Sequence, residues 1–255
     1  MLTTDYDYEI ITVSKEKESN KMNKTKYNLY LNGNNHVHIS EGNKKLGNGV
    51  FNVSLLPSDK PLTKNDGTQL VNICGTCGGV CNECKGNCYA IKSAIRYHNT
   101  CIPAWGENTL LAVHKLEQYE SELQTFFDEN IVGAFRWHVS GEIPTKDYLD
   151  MMIRLANNNP MIQFYVYTKR YTWIEEKDSE IPNNLHVTVS IWHNNYENPC
   201  NFHEFIYDDG TDKSLENVYH CPAVDKNGHE TGVTCAKCKR CIIAKRGEKT
   251  AVYAH

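Results

Sequence analysis

The sequence predicts an α/β fold in which βαβ units build a parallel sheet or an open barrel. Two observations predict it. Strand-like segments alternate with helix-like segments at the spacing that parallel crossovers require. The chain also has 255 residues, 40% of them hydrophobic, which is enough to bury a substantial core. Because crossovers between parallel strands are right-handed, we expect functional residues at the carboxyl ends of the strands.

The chain divides by composition into three parts. Residues 1–45 are polar, and we interpret them as a leader with at most one or two edge strands. Residues 46–200 are predicted to form the main α/β domain, which begins with a strand over 49–57. Residues 201–255 are predicted to form a Cys-rich C-terminal segment, within a loop-rich tail that starts near 193.

The predicted elements between these limits follow from hydrophobic periodicity. Apolar residues recur at intervals of three and four where helices are expected, whereas aromatic and β-branched residues mark the strands. In chain order these are helices over 88–98 and 107–130, a strand over 133–140, a helix over 145–159, a strand over 161–169, a short helix over 171–178 and a strand over 185–192. Thr145 is the expected N-cap of its helix.

Composition excludes several classes of protein. The net charge is −4, which disfavours nucleic acid as the main partner, although a local basic patch is compatible with that total. No apolar run approaches the length of a membrane span, and the N-terminus lacks the features of a secretory signal. We therefore expect a cytoplasmic protein that does not enter the membrane.

Cysteine is the unusual residue of this chain. Of eleven cysteines, five lie within 74–88 and four within 221–241, which leaves only Cys101 and Cys200 outside these two groups. A secreted disulfide framework spreads its cysteines along the chain, whereas gaps of two and three residues suit ligands of one metal or cluster centre. Each group is therefore predicted to hold a metal or an iron–sulfur cluster.

The first cysteine group comprises Cys74, Cys77, Cys81, Cys84 and Cys88. The three thiols Cys77, Cys81 and Cys84 have the spacing C-x3-C-x2-C, and Cys81, Cys84 and Cys88 have the spacing C-x2-C-x3-C. A third interpretation is one structural zinc held by the first four cysteines, since paired C-x2-C is a zinc pattern. The intervening glycines allow the backbone to approach the sulfides, and we therefore favour an iron–sulfur cluster.

The second cysteine group comprises Cys221, Cys235, Cys238 and Cys241. Its final C-x2-C-x2-C run is denser than zinc pairs require and is typical of ferredoxin-like cluster loops. Five cations between 237 and 246 would offset the charge of a thiolate-bound cluster. We predict an auxiliary iron–sulfur cluster with four protein ligands, and a four-thiolate zinc site is the alternative.

Four motifs carry a family resemblance: a cysteine loop ending in CYA, then FRWHVSGEIPTKDYLDMMIRLA, FYVYTKR and LHVTVSIW. Together they resemble a family of phage and mobile-element proteins related to the radical S-adenosylmethionine (SAM) superfamily, over about residues 45–245. The resemblance implies a partial (β/α) TIM-like barrel of radical SAM type with a Cys-rich C-terminal extension. It also implies a [4Fe–4S] cluster at the mouth of the barrel.

The resemblance also implies site residues. Ser140, Gly141 and Glu142 match the superfamily motif that contacts the amino group of SAM. The family pattern of cysteines maps best onto Cys77, Cys84 and Cys88, whereas the superfamily spacing selects Cys77, Cys81 and Cys84, and both sets stay open.

Alternation along the strands suggests further polar residues for a site. Arg136 and His138 should lie on one side of their strand and Trp137 on the other. Lys169 and Arg170 end the next strand, where they could hold a carboxylate or a phosphate.

Three functions are compatible with these features. The first is a radical enzyme with one or two iron–sulfur clusters, in which SAM binds the open iron of the first cluster and Glu142 holds its amino group. The second is an electron-transfer or redox-sensing protein that does not use SAM. The third is a zinc-binding nucleic-acid or protein module. For the first two we expect a host electron donor such as flavodoxin or ferredoxin as partner.

Overall fold

The computed structural model describes residues 25–80, 82–192 and 196–254. Within them, one sheet is formed by β1 (Ser40–Glu41), β2 (Val50–Asn52), β3 (Ala134–Trp137), β4 (Gln163–Thr168), β5 (Leu185–Ile191), β6 (His203–Asp208), β7 (Tyr219–His220) and β8 (Lys249–Tyr253). The helices are α1 (Asn82–Gly86), α2 (Tyr89–Arg96), α3 (His98–His114), α4 (Leu116–Glu129), α5 (Lys146–Asn158), α6 (Tyr171–Glu176) and α7 (Cys235–Cys238), with short 3-10 turns at Asp178–Glu180 and Lys213–Leu215.

The sheet has the strand order β1-β2-β3-β4-β5-β6-β8-β7. β1 is antiparallel to β2, and every other pair of neighbouring strands is parallel. From β2 to β6 the spatial order follows the chain order, so right-handed crossovers bring the connecting helices to one face. The α/β prediction is confirmed. The sheet is open, because no pairing joins its outer strands β1 and β7 within the described residues.

The main core lies between this sheet and its helices. Side chains at alternate positions of the central strands, including Phe135, Trp137 and Phe164, pack against Tyr148 of α5 and Phe127 of α4. Edge-to-face aromatic contacts join several of them, with ring centres 5.0 Å apart between Phe127 and Phe135. The opposite face of the strands carries polar and aromatic residues, and these line the cavity described below.

Several elements differ from the sequence-based expectations. The strand expected over 49–57 is limited to Val50–Asn52. The helix expected over 107–130 is two helices, α3 and α4, because Lys115 has φ −140° and ψ 49°, which is not helical. No Gly or Pro marks this break, so local propensity does not reveal it. The change of direction lets Tyr119, Leu123 and Phe127 of α4 face the sheet.

The predicted loop-rich tail contributes three strands. β6 pairs with β5, β8 pairs with β6, and β7 pairs with the far side of β8. β6 has few fully buried residues, and β7 has two residues in all, so neither shows the alternation of a strand packed on one face. In the leader, β1 is an edge strand, and residues 1–24 lie outside the described part of the chain.

None of the helices in the described ranges combines the length and the apolar character needed to cross a bilayer.

Candidate functional site

A cavity of about 370 Å³ opens at the carboxyl ends of the parallel strands. Its wall includes residues at or just beyond the ends of β3, β4, β5, β6 and β8. Both cysteine groups contribute to it: the lining thiols are Cys77, Cys84, Cys88, Cys221, Cys235, Cys238 and Cys241. Residues more than 130 positions apart in the chain therefore share one wall.

Thr76 docks the first cysteine group onto the sheet. Its backbone N–H donates to the Leu56 carbonyl at 2.9 Å, and its Oγ1 accepts the Glu142 N–H at 2.8 Å. Gly75 lies so close to the preceding chain that a Cβ there would be 2.1 Å from the Pro57 carbonyl oxygen. A side chain at position 75 would therefore displace the loop from its seat.

Arg170 holds the same loop from the other side. Its guanidinium donates to the Ile143 and Thr76 carbonyls, both at 3.0 Å, and to the Gly78 carbonyl. The group also lies 4.6 Å over the Trp173 ring. The sequence suggested that Arg170 could hold a carboxylate or phosphate of a ligand. In the structure it instead ties the first cysteine group to the loop after β3, because all three of these acceptors are backbone carbonyls.

The thiols of the first group have different environments. Burial, and next the charge of Glu142, raise the pKa of Cys77 to about 12, and Cys84 and Cys88 are close enough to add to the shift. Cys74 is exposed and does not belong to the cavity wall. Cys81 lies outside the described residues. Among the described thiols of this group, the cavity thus brings together Cys77, Cys84 and Cys88.

The second cysteine group is anchored to the start of the sheet. The Cys235 and Ala236 N–H groups donate to the Lys45 and Leu46 carbonyls, both at 2.8 Å. Thr234 caps α7, and Lys239 then turns the chain with a left-handed φ of 61°. This reversal accounts for the way a C-x2-C-x2-C run can direct all of its thiols to one wall.

Burial also governs the thiols of the second group. It raises the pKa of Cys221 and of Cys235, and it raises the pKa of Cys241 to about 12 although the Tyr167 hydroxyl donates a hydrogen bond to that thiol. The Tyr219 hydroxyl lies 3.6 Å from the Cys238 Sγ. Two tyrosines, one from β4 and one from β7, therefore contact thiols of this group.

Cations dominate the charged residues of the cavity. One carboxylate, that of Glu142, is among the lining residues, together with six basic side chains: Lys45, Lys92, Arg136, Lys169, Lys239 and Arg240. The chain as a whole carries −4. The cavity wall thus has the charge that an anionic group requires.

No three His, Cys, Asp or Glu side chains of the described residues form a group that could hold a single metal ion.

Ser140, Gly141, Glu142 and Lys169, the four residues expected to bind a cofactor, all line the cavity. The Glu142 carboxylate is buried and already accepts three hydrogen bonds. The Ile143 N–H and the Thr168 hydroxyl donate to Oε1 at 2.9 and 2.7 Å, and the Lys169 N–H donates to Oε2 at 2.8 Å. Glu142 therefore joins the loop after β3 to the end of β4.

Backbone geometry is irregular where β3 ends. The Val53 N–H donates to the Arg136 carbonyl, and the Val53 carbonyl accepts from the Val139 N–H. In a regular parallel ladder these two partners would be two residues apart in the chain, but here they are three apart. The extra residue makes a bulge, and His138 takes a left-handed φ of 55°. Trp137 packs into the core and Arg136 lines the cavity, so these two side chains lie on opposite sides of the strand, as the alternation predicts. His138 borders the cavity, but after the bulge its ring contacts Trp137 and Tyr148 of the core.

His138 is neutral in this environment. Burial, and next the charge of Arg136, lower its pKa to about 3. Its Nε2 lies 3.1 Å from the Tyr148 hydroxyl, which donates to the Tyr119 hydroxyl. Neither the His138 Nδ1 nor the Ser140 Oγ has a hydrogen-bond partner among the described residues. Both atoms are buried, although their residues line the cavity.

Sequence reasoning did not single out Thr76, Tyr167 or the aromatic end of the cavity. There the rings of Trp192 and Tyr207 stack with centres 4.3 Å apart, beside Phe205. Period-2 alternation along β4 could have indicated Tyr167 as cavity-facing, once the opposite face was known to be the core. It could not have indicated Phe205, because β6 lacks that alternation.

Comparison with known proteins identifies a family. No curated protein matches the chain, and no solved structure matches it. The model of the family described as gene product 88 (GP88) matches residues 31–249, a span that includes both cysteine groups and the cavity. The chain therefore belongs to the gene product 88 family.

Proposed function

We propose that this chain is an iron–sulfur protein of radical SAM-like fold, encoded by a phage or mobile element and working in the host cytoplasm, where thiols stay reduced. One observation carries the proposal: seven thiols from two distant groups line a single cavity at the carboxyl ends of parallel strands. Iron–sulfur clusters are held by such thiols, and their potentials respond to nearby charge and hydrogen bonds.

The chemistry of the donor set fits an iron–sulfur group. Cys77, Cys84 and Cys88 would hold the first cluster, the ligand set that the family resemblance implies. Cys81 lies outside the described residues, so the set Cys77, Cys81 and Cys84 stays open. Cys74 is exposed and outside the wall, which disfavours it as a ligand. Burial holds Cys77 in its protonated form in the absence of iron, so binding would release the proton. The basic wall would offset the negative charge of the thiolates.

The second group would hold an auxiliary cluster through Cys221, Cys235, Cys238 and Cys241. All four line the cavity, and Tyr167 donates to one of these thiols. Hydrogen bonds to ligand sulfur and burial are the protein's means of setting a reduction potential. Four protein ligands suit a relay of electrons or a structural centre rather than the binding of a substrate.

The strand order supports the finer fold assignment, a partial (β/α) barrel of radical SAM type. β2 to β6 follow one another in space as in the chain, and the helices cover one face. In such an arrangement the uncovered ends and face of the strands hold the site, which is where the cavity lies.

SAM is the expected ligand of the first cluster. A cluster held by three protein thiolates would supply the open iron that binds SAM and the one electron that reductive cleavage of SAM requires. In this chain, Glu142 would orient the SAM amino group through Oε2, which accepts one hydrogen bond within the chain. Lys169 lines the same wall and would bind the carboxylate of SAM.

A second function, electron transfer without SAM, is favoured by a specific observation. The Glu142 carboxylate already accepts three hydrogen bonds within the chain, so a structural role explains its burial without a ligand. In that case the two clusters would carry electrons or sense redox state. A zinc-binding module is the third alternative.

The test uses protein purified without oxygen. Iron and sulfide per chain are counted, and the EPR spectrum of the dithionite-reduced protein is recorded with and without SAM. If iron and sulfide are present and SAM changes the EPR spectrum, the radical enzyme is supported. If iron is present but SAM leaves the spectrum unchanged, electron transfer alone is supported. A colourless protein with stoichiometric zinc contradicts both iron–sulfur functions.

Two variants assign the ligands in the same experiment. Replacing Cys235, Cys238 and Cys241 together by Ala should remove about half of the iron if there are two clusters of equal size. Unchanged iron content in that variant would refute an auxiliary cluster. Replacing Glu142 by Gln should weaken SAM binding while iron content stays constant, and equal SAM affinity would refute its assigned role.

A further inference from the structure

A surface of concentrated positive charge surrounds the second cysteine group. The segment 234–246 contains five basic residues and no acidic one, although the chain carries a net charge of −4. We call the exposed part of this region the basic surface; it consists of Lys237, Lys239, Ile243, Lys245 and Tyr219.

Three of its cations are available to a partner. Lys237, Lys239 and Lys245 are exposed, and no ion pair joins any of them to an acidic side chain of the described residues. Their basic neighbours are already paired within the chain: Arg240 lies 3.9 Å from Glu248, and Arg246 lies 2.6 Å from Asp178.

The basic surface also includes two exposed side chains with apolar parts. Ile243 is 51% exposed, and its N–H donates to the carbonyl of Lys239. Tyr219 is 44% exposed, and its hydroxyl contacts the Cys238 thiol. Apolar side chains together with charged ones are the usual anatomy of a protein–protein interface. Phosphate-backbone binding depends on the cations alone, so the exposed isoleucine favours a protein partner.

We propose that the basic surface docks an acidic one-electron carrier protein, which reduces the iron–sulfur group held by the second cysteine group. One electron leaves the carrier's flavin or cluster and enters that group, and no bond is formed or broken. Opposite charges would steer the encounter, while Ile243 and Tyr219 would bring the partner against the segment that holds Cys238. The inference rests on the proposed function, since the thiols must hold a redox-active group.

The test measures the rate of electron transfer to iron-loaded protein purified without oxygen. The probe is a purified acidic bacterial flavodoxin in its fully reduced form, mixed in a stopped-flow spectrometer at low and at high salt. We expect the rate to fall by about tenfold or more as salt screens the charges. Dithionite, a small inorganic reductant, serves as the reference donor.

Two variants and one control locate the interaction. The double variant K237E/K245E changes cations outside the cavity wall, and it should slow reduction by flavodoxin by about tenfold relative to reduction by dithionite. Taking the ratio of the two rates removes the effect that the two charges have on the reduction potential itself. I243E tests the exposed isoleucine without changing a lysine and should also slow the protein donor. K60E/K213E makes the same change of charge at exposed lysines elsewhere and should have no effect.

Iron content separates the failure of this inference from that of the proposed function. Wild-type protein without iron refutes the proposed function, and the inference falls with it. If the protein binds iron, but both variants and the control accept electrons from flavodoxin at the wild-type rate, the docking inference alone is refuted. The surface would instead belong to nucleic acid if the protein bound a short DNA or RNA oligonucleotide tightly and K237E/K245E abolished that binding, while the rate of reduction by flavodoxin stayed the same in that variant.

Discussion

The guanidinium of Arg136 lies 4.8 Å from the centre of the Tyr167 ring, and this pair connects the two cysteine groups. On one side, Tyr167 donates a hydrogen bond to the Cys241 thiol. On the other, Arg136 contacts the Tyr89 hydroxyl, and Tyr89 directly follows Cys88 in the chain. The hydrogen bond from Tyr89 to the Val139 carbonyl fixes its ring beside the end of β3. The half-buried Arg136 cation is thus in electrostatic contact with both halves of the cavity.

If the two proposed clusters are present, replacing Arg136 by Gln should make both of their reduction potentials more negative, because a nearby positive charge favours the more negative reduced form. R136K keeps the charge and should restore most of the potential. Y167F removes the hydrogen bond to Cys241 and should shift only the second cluster. Redox titration followed by EPR measures both potentials. Equal potentials in R136Q and the wild type would contradict the assigned connection.

Replacing Arg170 by Lys should lower the free energy of unfolding by about 2 kcal/mol, because a lysine cannot reach the three carbonyls that the guanidinium joins. Iron retained by the first cluster should fall with it. R154K is the matched control, since Arg154 pairs with Glu120 on the surface and should cost less than about 1 kcal/mol. Urea unfolding gives both values, and equal losses would contradict the role of Arg170.

Replacing Gly141 by Ala should destabilise the protein by about 2–4 kcal/mol. The residue has φ 88°, and a Cβ there would lie 2.7 Å from the Leu55 Cβ and 2.9 Å from the Thr76 Oγ1. Gly49 has φ 77° but open space around its Cβ position, so G49A measures the backbone strain alone, about 1 kcal/mol. Thermal unfolding compares the two. If G141A lost less stability than G49A, the loop around Gly141 would be able to accommodate a Cβ without destabilising the protein.

Replacing Cys74 by Ser should leave iron content unchanged, because this cysteine is exposed and outside the cavity wall. Replacing Cys88 by Ser should remove the iron of the first cluster, about half of the total if both clusters have four irons. Iron and sulfide analysis of protein purified without oxygen measures both. Loss of iron in C74S with none in C88S would reverse the proposed ligand assignment.

His203 should make stability depend on pH. Burial, and next the charge of Arg240, lower its pKa from 6.5 to about 4. Between these values the unfolded chain binds a proton that the folded chain does not, so stability falls as pH falls, by up to about 1.4 kcal/mol per pH unit. Replacing His203 by Asn should flatten this slope between about pH 6.5 and 4, as measured by urea unfolding. An unchanged slope in H203N would contradict this role of His203.

Local pattern was enough to predict much of the architecture. The alternation of strand-like and helix-like segments predicts the parallel sheet, and Thr145 is the N-cap of α5, accepting the Tyr148 N–H at 3.1 Å. These features depend on contacts between residues close in the chain, or on a periodicity that one face of an element imposes. Strands β6 and β7 of the tail could not be predicted in this way, because they lack that periodicity.

The amino-acid sequence determined that cysteines would occur in two dense groups, and the metal or cluster that their spacing predicts in each group stays a prediction. It could not show that Cys88 and Cys241 line one cavity, because that depends on how β3 to β8 are ordered in the sheet. Nor could it show that Arg170 bonds to the loop of Thr76 rather than to a ligand. Such contacts join positions about a hundred residues apart, and only packing of the whole sheet against its helices decides which of them form.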